Sequence, residues 1–413
     1  MSTGLADNVR KLRRAAGLSQ EGLAEAADLS LSTVRKAEQG GHVSMGSLAA
    51  FARALGVPTS ALFASEAPKS VVGKEDEANR RHLAALRQAL MPPVGLSVPL
   101  SEPGEAEEPA AVRRRVQDGH ALYQADHYDS VARRLPGLLR DSEVAVAALE
   151  GEEREHALVA RAHALLLAGK YLTQVRQYDM AYFALAEAIR LARETGRTQL
   201  AATGVVGLGW LLLRQDRFDE SEQLAAQTAE EVEPRMSEAT ADQLAVWGEL
   251  WLRVAAAARR NGREDVAEHA RRMAGTAGGA LEREHTAFPS HWSAFGPVTA
   301  EAKAVEDLAL AGDARGVLRK AGEGPLSTKA EKNAGRLSPN NWGRHRLDVA
   351  RAHVLLGSHQ DAMDELVNLR QTGGVWLTHQ PMAGRVMSDI LKTRKRTLTK
   401  EMRSMANHLG ITD

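Results

Sequence analysis

Residues 17–40 read GLSQEGLAEAADLSLSTVRKAEQG, and their punctuation decides how the amino-terminal part of the chain folds. Gly17 stops a preceding helix whose apolar face is Val9, Leu12 and Ala16, since glycine accepts the left-handed conformation that closes a helix. Ser19 then stands at an N-cap, with Gln20 and Glu21 in the first turn and Leu23, Ala24 and Ala27 on one face. After a short turn through Asp28, Leu29 and Ser30, with Ser30 as the cap, the spacing predicts a third helix from Leu31 to Gln39. Val34 and Ala37 face inward there, while Ser32, Thr33, Arg35 and Lys36 are left facing out, and Gly40-Gly41 terminates it. Further on, Ser44 is placed to cap a fourth helix (Leu48, Phe51, Leu55), and Pro58 to open a short fifth ending at Leu62 and Phe63.

Two helices joined by a tight turn, the second polar and basic on its free face, form the arrangement that puts a recognition helix into the major groove. The segments Val9-Arg10-Lys11-Leu12-Arg13, Gly17-Leu18-Ser19-Gln20, Leu23-Ala24, Ser32-Thr33-Val34, Glu38-Gln39-Gly40 and Ala54-Leu55-Gly56-Val57 strengthen this. In order and spacing they resemble the Cro/CI (XRE) helix-turn-helix family over residues 4–64. The resemblance implies that Gln20 holds a DNA phosphate, helped by the positive end of its helix. It places Leu31, Ser32 and Lys36 at base edges, with Thr33 and Arg35 beside them on phosphates or neighbouring bases, and makes Arg13 and Glu38 a structural ion pair. Leu31 replaces a residue that is often polar, which implies contact with a thymine methyl group. Ala37 replaces a larger core residue and leaves a gap for helix one.

The head carries Arg10, Lys11, Arg13, Arg14, Arg35, Lys36 and Arg53 against Asp7, Glu21, Glu25, Asp28 and Glu38, a surplus of only two charges. One copy would neutralise few phosphates, so a homodimer reading two half-sites of a double-stranded operator is expected. A second reading keeps the head as a helical bundle that binds protein, as an antitoxin-like or scaffold domain does.

With 413 residues, the chain exceeds a single hydrophobic core and must hold at least two units. Its 53 Lys+Arg balance 53 Asp+Glu, so no global field draws it to nucleic acid or to anionic membrane. Cysteine is absent, which removes disulfides, thiolate metal sites and cysteine nucleophiles together. No apolar stretch suits a signal peptide or a membrane span, so a cytoplasmic protein is expected. Low aromatic content (4%) and abundant Ala, Leu, Arg and Glu favour an all-α fold. Three regions are expected: a helix-turn-helix head at 1–64, a linker at 65–110 and a helical-repeat body at 111–413. The linker is rich in Pro, Gly and Glu, yet Leu83, Leu86 and Leu90 form a helical stripe that Pro92-Pro93 ends.

The body repeats itself. Tyr128, Tyr178 and Phe218 each precede a helix, and Gly119, Gly169 and Gly209 each lie nine residues before them. After the aromatics come Val131 and Leu135, then Ala181, Leu185 and Ala188, then Ser221, Ala225 and Thr228, spaced to line one helix face. Weaker copies follow at Gly262–Ala274, Gly312–Ala321 and Gly357–Leu369, giving six units spaced about 40 to 50 residues apart. The pattern resembles tetratricopeptide (TPR) repeats over residues 111–370, with longer units than the usual ~34 residues; an irregular helical bundle is the alternative. A head of this family on a TPR-like body resembles the peptide-responsive regulators of Gram-positive bacteria. That likeness implies a concave face for a peptide or small-molecule effector and a dimer contact in the body.

All six tryptophans (Trp210, Trp247, Trp251, Trp292, Trp342, Trp376) lie in the body. Trp247 and Trp251, four apart, share a helix face as core packing or as an aromatic wall for a ligand. His291 and Trp292, in the irregular stretch Thr286–Pro297, could floor a groove, and Asn340, Asn341, Arg344 and Arg346 could hold a backbone and a carboxylate. Lys392, Arg394, Lys395, Arg396, Lys400 and Arg403 form a basic run suited to capping, to DNA or to an acidic partner. There is no GxxxxGKS loop, no HExxH and no nucleophile elbow, and His156 and His163 lack a third ligand. No enzymatic activity, metal or cofactor is therefore expected.

Overall fold

Left-handed residues punctuate the body at one recurring place. In the computed structural model, Asp126, Arg176, Asp216, Gly262, Gly312 and Gly357 all take φ between 59° and 80°. Each stands two residues before the second helix of a pair. Neighbouring positions of the series are 40 to 50 residues apart, the unit length expected from the sequence. The structure describes residues 3–41, 43, 45–55, 57, 62, 83–93, 106–286, 294–327, 335, 337–392 and 399–411. Two compact units result, Met1–Ala85 and Leu86–Asp413, and the division falls inside the stretch expected as linker.

The head consists of α1 (Thr3–Ala15), α2 (Gln20–Ala27), α3 (Leu31–Glu38) and α4 (Met45–Leu55). Gly17 adopts φ 69° and ends α1, as its place in the sequence requires. The Ser19 hydroxyl accepts from the Gly22 amide and that of Ser30 from the Thr33 amide, so both expected caps form. The third helix stops at Glu38, with Gln39 as its C-cap outside helical geometry (φ −94°, ψ 3°), one residue earlier than expected. Val9, Leu12, Leu23, Val34, Phe51 and Leu55 share one buried core. Ser44 and the helix expected from Pro58 to Phe63 lie outside the described residues, apart from Leu62, which is buried in that core.

Residues 83–90 form α5, the expected stripe, with Leu86 and Leu90 buried. The body then proceeds in pairs. They are α6 (Pro109–Gln124) with α7 (Tyr128–Ala148), α8 (Gly151–Gln174) with α9 (Tyr178–Glu194), and α10 (Thr198–Arg214) with α11 (Phe218–Glu231). The series continues with α12 (Ala241–Arg260) and α13 (Glu264–Leu281), α14 (Pro297–Leu310) and α15 (Ala314–Ala321), and α16 (Pro339–Leu355) and α17 (His359–Thr378). Two further helices follow, α18 (Pro381–Lys392) and α19 (Lys400–His408). Tyr128, Tyr178 and Phe218 are the first residues of their helices, where the sequence pattern had set them a few residues ahead.

Each first helix packs on its own partner and also on the first helices of the neighbouring pairs, so α6, α8, α10, α12, α14 and α16 form an inner row. A helix enclosed in this way loses its polar face: residues 244–258 of α12 are buried without interruption. Small residues permit the approach. A methyl on Gly169 would come within 2.6 Å of the branched carbon of Leu185, and one on Gly119 within 2.5 Å of Leu167, whereas Gly209 has ordinary room.

The row curls until its ends meet. At Gly373 the last paired helix leaves helical geometry (φ −160°, ψ 58°), and three residues on the Trp376 amide donates to Asp126 Oδ2 at 3.0 Å, a contact that spans 250 positions of sequence. Arg176 donates to the His379 carbonyl at 3.3 Å, and the His379 ring stands edge-on to Tyr128 with centroids 5.8 Å apart. Among the described residues the only strand-like pairing is a bridge between His285 and Phe295, and no helix is long and apolar enough to cross a membrane.

The two glycines of one register should respond oppositely to substitution. Gly169→Ala should lower stability by about 1–3 kcal/mol through overpacking against Leu185. Gly209→Ala should be neutral, or stabilising by up to about 1 kcal/mol through helix propensity. Urea unfolding followed by tryptophan fluorescence reads the difference; equal effects would contradict the close approach.

Candidate functional site

Glu38 is the hub of the head. Its carboxylate takes Arg13 in a two-pronged contact, Nε to Oε1 at 2.6 Å and Nη2 to Oε2 at 3.1 Å, as expected for a structural ion pair. Gln20 Nε2 reaches the same carboxylate at 2.8 Å, and Arg10 Nη2 donates to the Glu38 carbonyl at 2.5 Å. Arg13 also donates to the Leu18 carbonyl at 2.8 Å. Residues of α1, α2 and the turn between them are thereby tied to the end of α3. Burial pushes the Glu38 carboxyl up, but hydrogen bonds from Arg13 and Gln20 and the charges of Arg13 and Arg10 outweigh it and hold it below its ordinary value.

This clamp sets which side of α3 looks outward. Ser32, Arg35 and Lys36 are exposed, while Val34, Ala37 and Glu38 are buried. Arg35 lies 3.7 Å from Glu21 with both side chains more than half exposed, a contact too weak to withhold it from a phosphate or a base. The carbon stem of Lys36 lies against Gly41, which has no side chain to obstruct it.

Three of the expected contact residues also have partners inside the head. Leu31 is partly exposed and packs against the head's core. The hydroxyls of Ser32 and Thr33 both lie 2.8 Å from Ser30 Oγ, and the Thr33 side chain is half-buried, which makes Thr33 part of the cap. Gln20 donates one of its two side-chain amide hydrogens to Glu38. Arg10 and Arg13 are also engaged with Glu38, so the cations of the first three helices left on the surface are Lys11, Arg14, Arg35 and Lys36.

Residues 5–63 match the family of helix-turn-helix domains. No curated protein and no solved structure matches the chain. The helix-turn-helix head thus carries the DNA-binding character, and α3, the second helix of its motif, is the one with the exposed polar and basic face.

In the body, the inner row encloses a polar lumen. Tyr123, Lys170, Trp210, Glu249, Arg253, Lys303 and the candidates Asn341 and Arg344 all line it, one or more from each of the six inner helices. Arg344 and Arg253 lie over the Trp210 ring at 4.8 and 5.2 Å from its centroid. Asn341 Oδ1 stands 3.5 Å from Arg344, and its amide donates to the capping Ser338 hydroxyl. Burial pushes the Lys170 ammonium down to about 7 and the Arg253 guanidinium down to about 10, against the attraction of Glu249, and Arg344 adds repulsion to both.

Other candidates lie elsewhere. Arg346 turns away from the lumen to pair with Glu365 at 2.8 Å, and its guanidinium lies over Trp342. Trp247 and Trp251 are buried edge-to-face, 6.3 Å between centroids, as core packing. His291 and Trp292 lie outside the described residues, as do Arg394, Lys395 and Arg396; Lys392, Lys400 and Arg403 are exposed. Sequence reasoning missed Lys170, Glu249, Arg253 and Lys303. For Lys170, Glu249 and Arg253 the signal was a charge inside a long apolar stretch, with Glu249 and Arg253 four residues apart on one face; Lys303, close to Glu301, Glu306 and Asp307, carried no such signal.

Acid should loosen the head. Because the folded Glu38 carboxyl titrates below its ordinary 4.5, the stability it adds is complete above that pH and is lost as pH falls through the folded value. Glu38→Gln should remove about 2 kcal/mol at neutral pH and flatten this dependence. Every tryptophan lies between Trp210 and Trp376, so amide hydrogen exchange within residues 31–38 is the proper readout; unchanged protection in the variant would contradict the hub.

Proposed function

We propose that this protein is a sequence-specific DNA-binding transcriptional regulator that acts as a homodimer on a double-stranded operator. In this reading α3 enters the major groove, with Lys36 and Ser32 at base edges and Arg35 on a phosphate or a neighbouring base. The single observation that carries it is the outward face of α3, basic and solvent-exposed while the opposite face is fixed by Val34, Ala37 and Glu38. Dimerisation follows from electrostatics: with Arg10 and Arg13 engaged internally, one head presents few cations to phosphates, and two heads double the footprint. Tyr182 and Phe183, adjacent and exposed on α9, offer apolar surface for self-association.

The helical body, read as a TPR-like superhelix of the kind found in peptide-responsive regulators, serves as the sensor, and its lumen holds the effector. We assign it no catalytic role, since the sequence carries none of the phosphate-loop, zinc-protease or nucleophile-elbow motifs. An effector that fits one curvature of the superhelix better than another would change how the heads are presented.

Chromatin immunoprecipitation followed by footprinting should recover discrete sites, each with two protected half-sites about one helical turn apart; a lone half-site argues against the dimer. On such a site, Arg35→Ala with Lys36→Ala should lower affinity by about 100-fold or more while helical content and subunit mass persist. Unaltered affinity would refute the assignment of α3 and favour the protein-binding, antitoxin-like reading of the head.

A further inference from the structure

The lumen carries more positive charge than its carboxylates can balance. Four basic side chains face it, Lys170, Arg253, Lys303 and Arg344, and burial leaves Lys170, at about 7, only part-protonated at neutral pH. Against them stand Glu249 and, behind Lys303, Glu306; Lys303 Nζ lies 2.7 Å from Glu306, which also takes Arg260 at 2.7 Å. Asp348, which lines the adjoining recess, adds little, because burial and the charge of Glu306 push its carboxyl up to about 7. The two arginines are the least compensated. Arg253 donates Nε to the Val206 carbonyl at 3.2 Å, and Arg344 makes one long contact to Asn341. The carboxylate charges of Glu249 and Glu306 act on Arg253, and that of Glu306 on Arg344, through space.

Each guanidinium presents five N–H donors in a planar fork, a shape that matches the paired oxygens of a phosphoryl or carboxylate group. Stacking both forks on Trp210 holds them in place, and gathering like charges in a poorly hydrated enclosure costs stability that a counter-anion would return. The cavity at the centre is about 40 Å³, room for a few waters or for one phosphoryl or carboxylate group of a ligand and not for a stretch of peptide.

We infer that the lumen is a binding site for a compact, multiply charged oxyanion of phosphoryl or polycarboxylate type, held by Arg344 and Arg253 with Asn341 and Lys170 at its edge. This deepens the reading of the body as a sensor and rests on it for its regulatory meaning. Binding neutralises the inner row of helices and favours the closed superhelix over opened forms.

Thermal unfolding of the full chain, followed by tryptophan fluorescence, tests the site directly. Inorganic phosphate, pyrophosphate and citrate are titrated separately against sodium chloride at matched ionic strength. A saturable rise in Tm is expected with at least one of them and none with chloride; the phosphate and pyrophosphate arms identify a phosphoryl source, the citrate arm a carboxylate one. Arg344→Gln should weaken the apparent affinity about tenfold or more. Glu249→Gln removes a negative charge from the lumen and should tighten it severalfold, so the pair moves in opposite directions even where one variant is less stable. No saturable rise with any of the three anions, or a response that both variants leave unchanged, overturns the proposal. DNA binding is not part of this readout, so a failed lumen leaves the α3 assignment standing, and a failed α3 leaves the lumen standing.

Discussion

The carboxylate of Glu38 is the point on which the head's functional geometry depends. It sits at the last residue of α3, yet its partners come from elsewhere: Arg13 and Arg10 from α1 and Gln20 from the start of α2. A helix of eight residues has too few turns to hold its own orientation through propensity, because nucleation is costly and short helices are marginal alone. Apolar contact through Val34 and Ala37 fixes which stripe is buried, but such contact tolerates small rotations. Directed hydrogen bonds to a buried carboxylate do not, and they set the angle at which Ser32, Arg35 and Lys36 project.

The head was legible because its determinants are local. Gly17, Ser19, Ser30 and the terminating Gly40 each act within a turn of their own position, and the Arg13–Glu38 pairing followed from the motif as a whole. What the motif could not convey was side-chain competition. Gln20 is drawn to Glu38, Thr33 to the Ser30 cap and Leu31 to the core, contacts inside the head that the motif alone does not announce. The body's six units were legible from turn glycines in its second half and from the Gly–aromatic register in its first. The common cause became visible only in the backbone, where Asp126, Arg176 and Asp216 take the left-handed conformation that Gly262, Gly312 and Gly357 take at equivalent places.

The lumen was mostly illegible for a reason of the opposite kind. Its lining comes from six helices spread over more than two hundred residues, and closure of the ring through Asp126 and Trp376 has no local signature. Arg344 and Arg346 show the difficulty on a small scale. Two residues apart on one helix, they point to different sides: the first joins Arg253 over Trp210, and the second joins Glu365. The inner row has to be nearly all apolar to pack against four neighbours, so each charge kept there lowers stability unless a partner is found. Charges retained at such positions mark where the fold serves something other than its own cohesion.

The absence of cysteine makes the central claim directly accessible. A single Cys introduced as Lys36→Cys, and separately as the control Arg53→Cys on the exposed side of α4, can each carry a photoactivated aryl azide in the full chain bound to duplex DNA. The account holds that the label at position 36 forms adducts on bases of the bound duplex and that the label at position 53 does not. Base adducts from position 53 with none from position 36 would mean that a different face of the head meets the DNA, and the role given to α3 would be wrong.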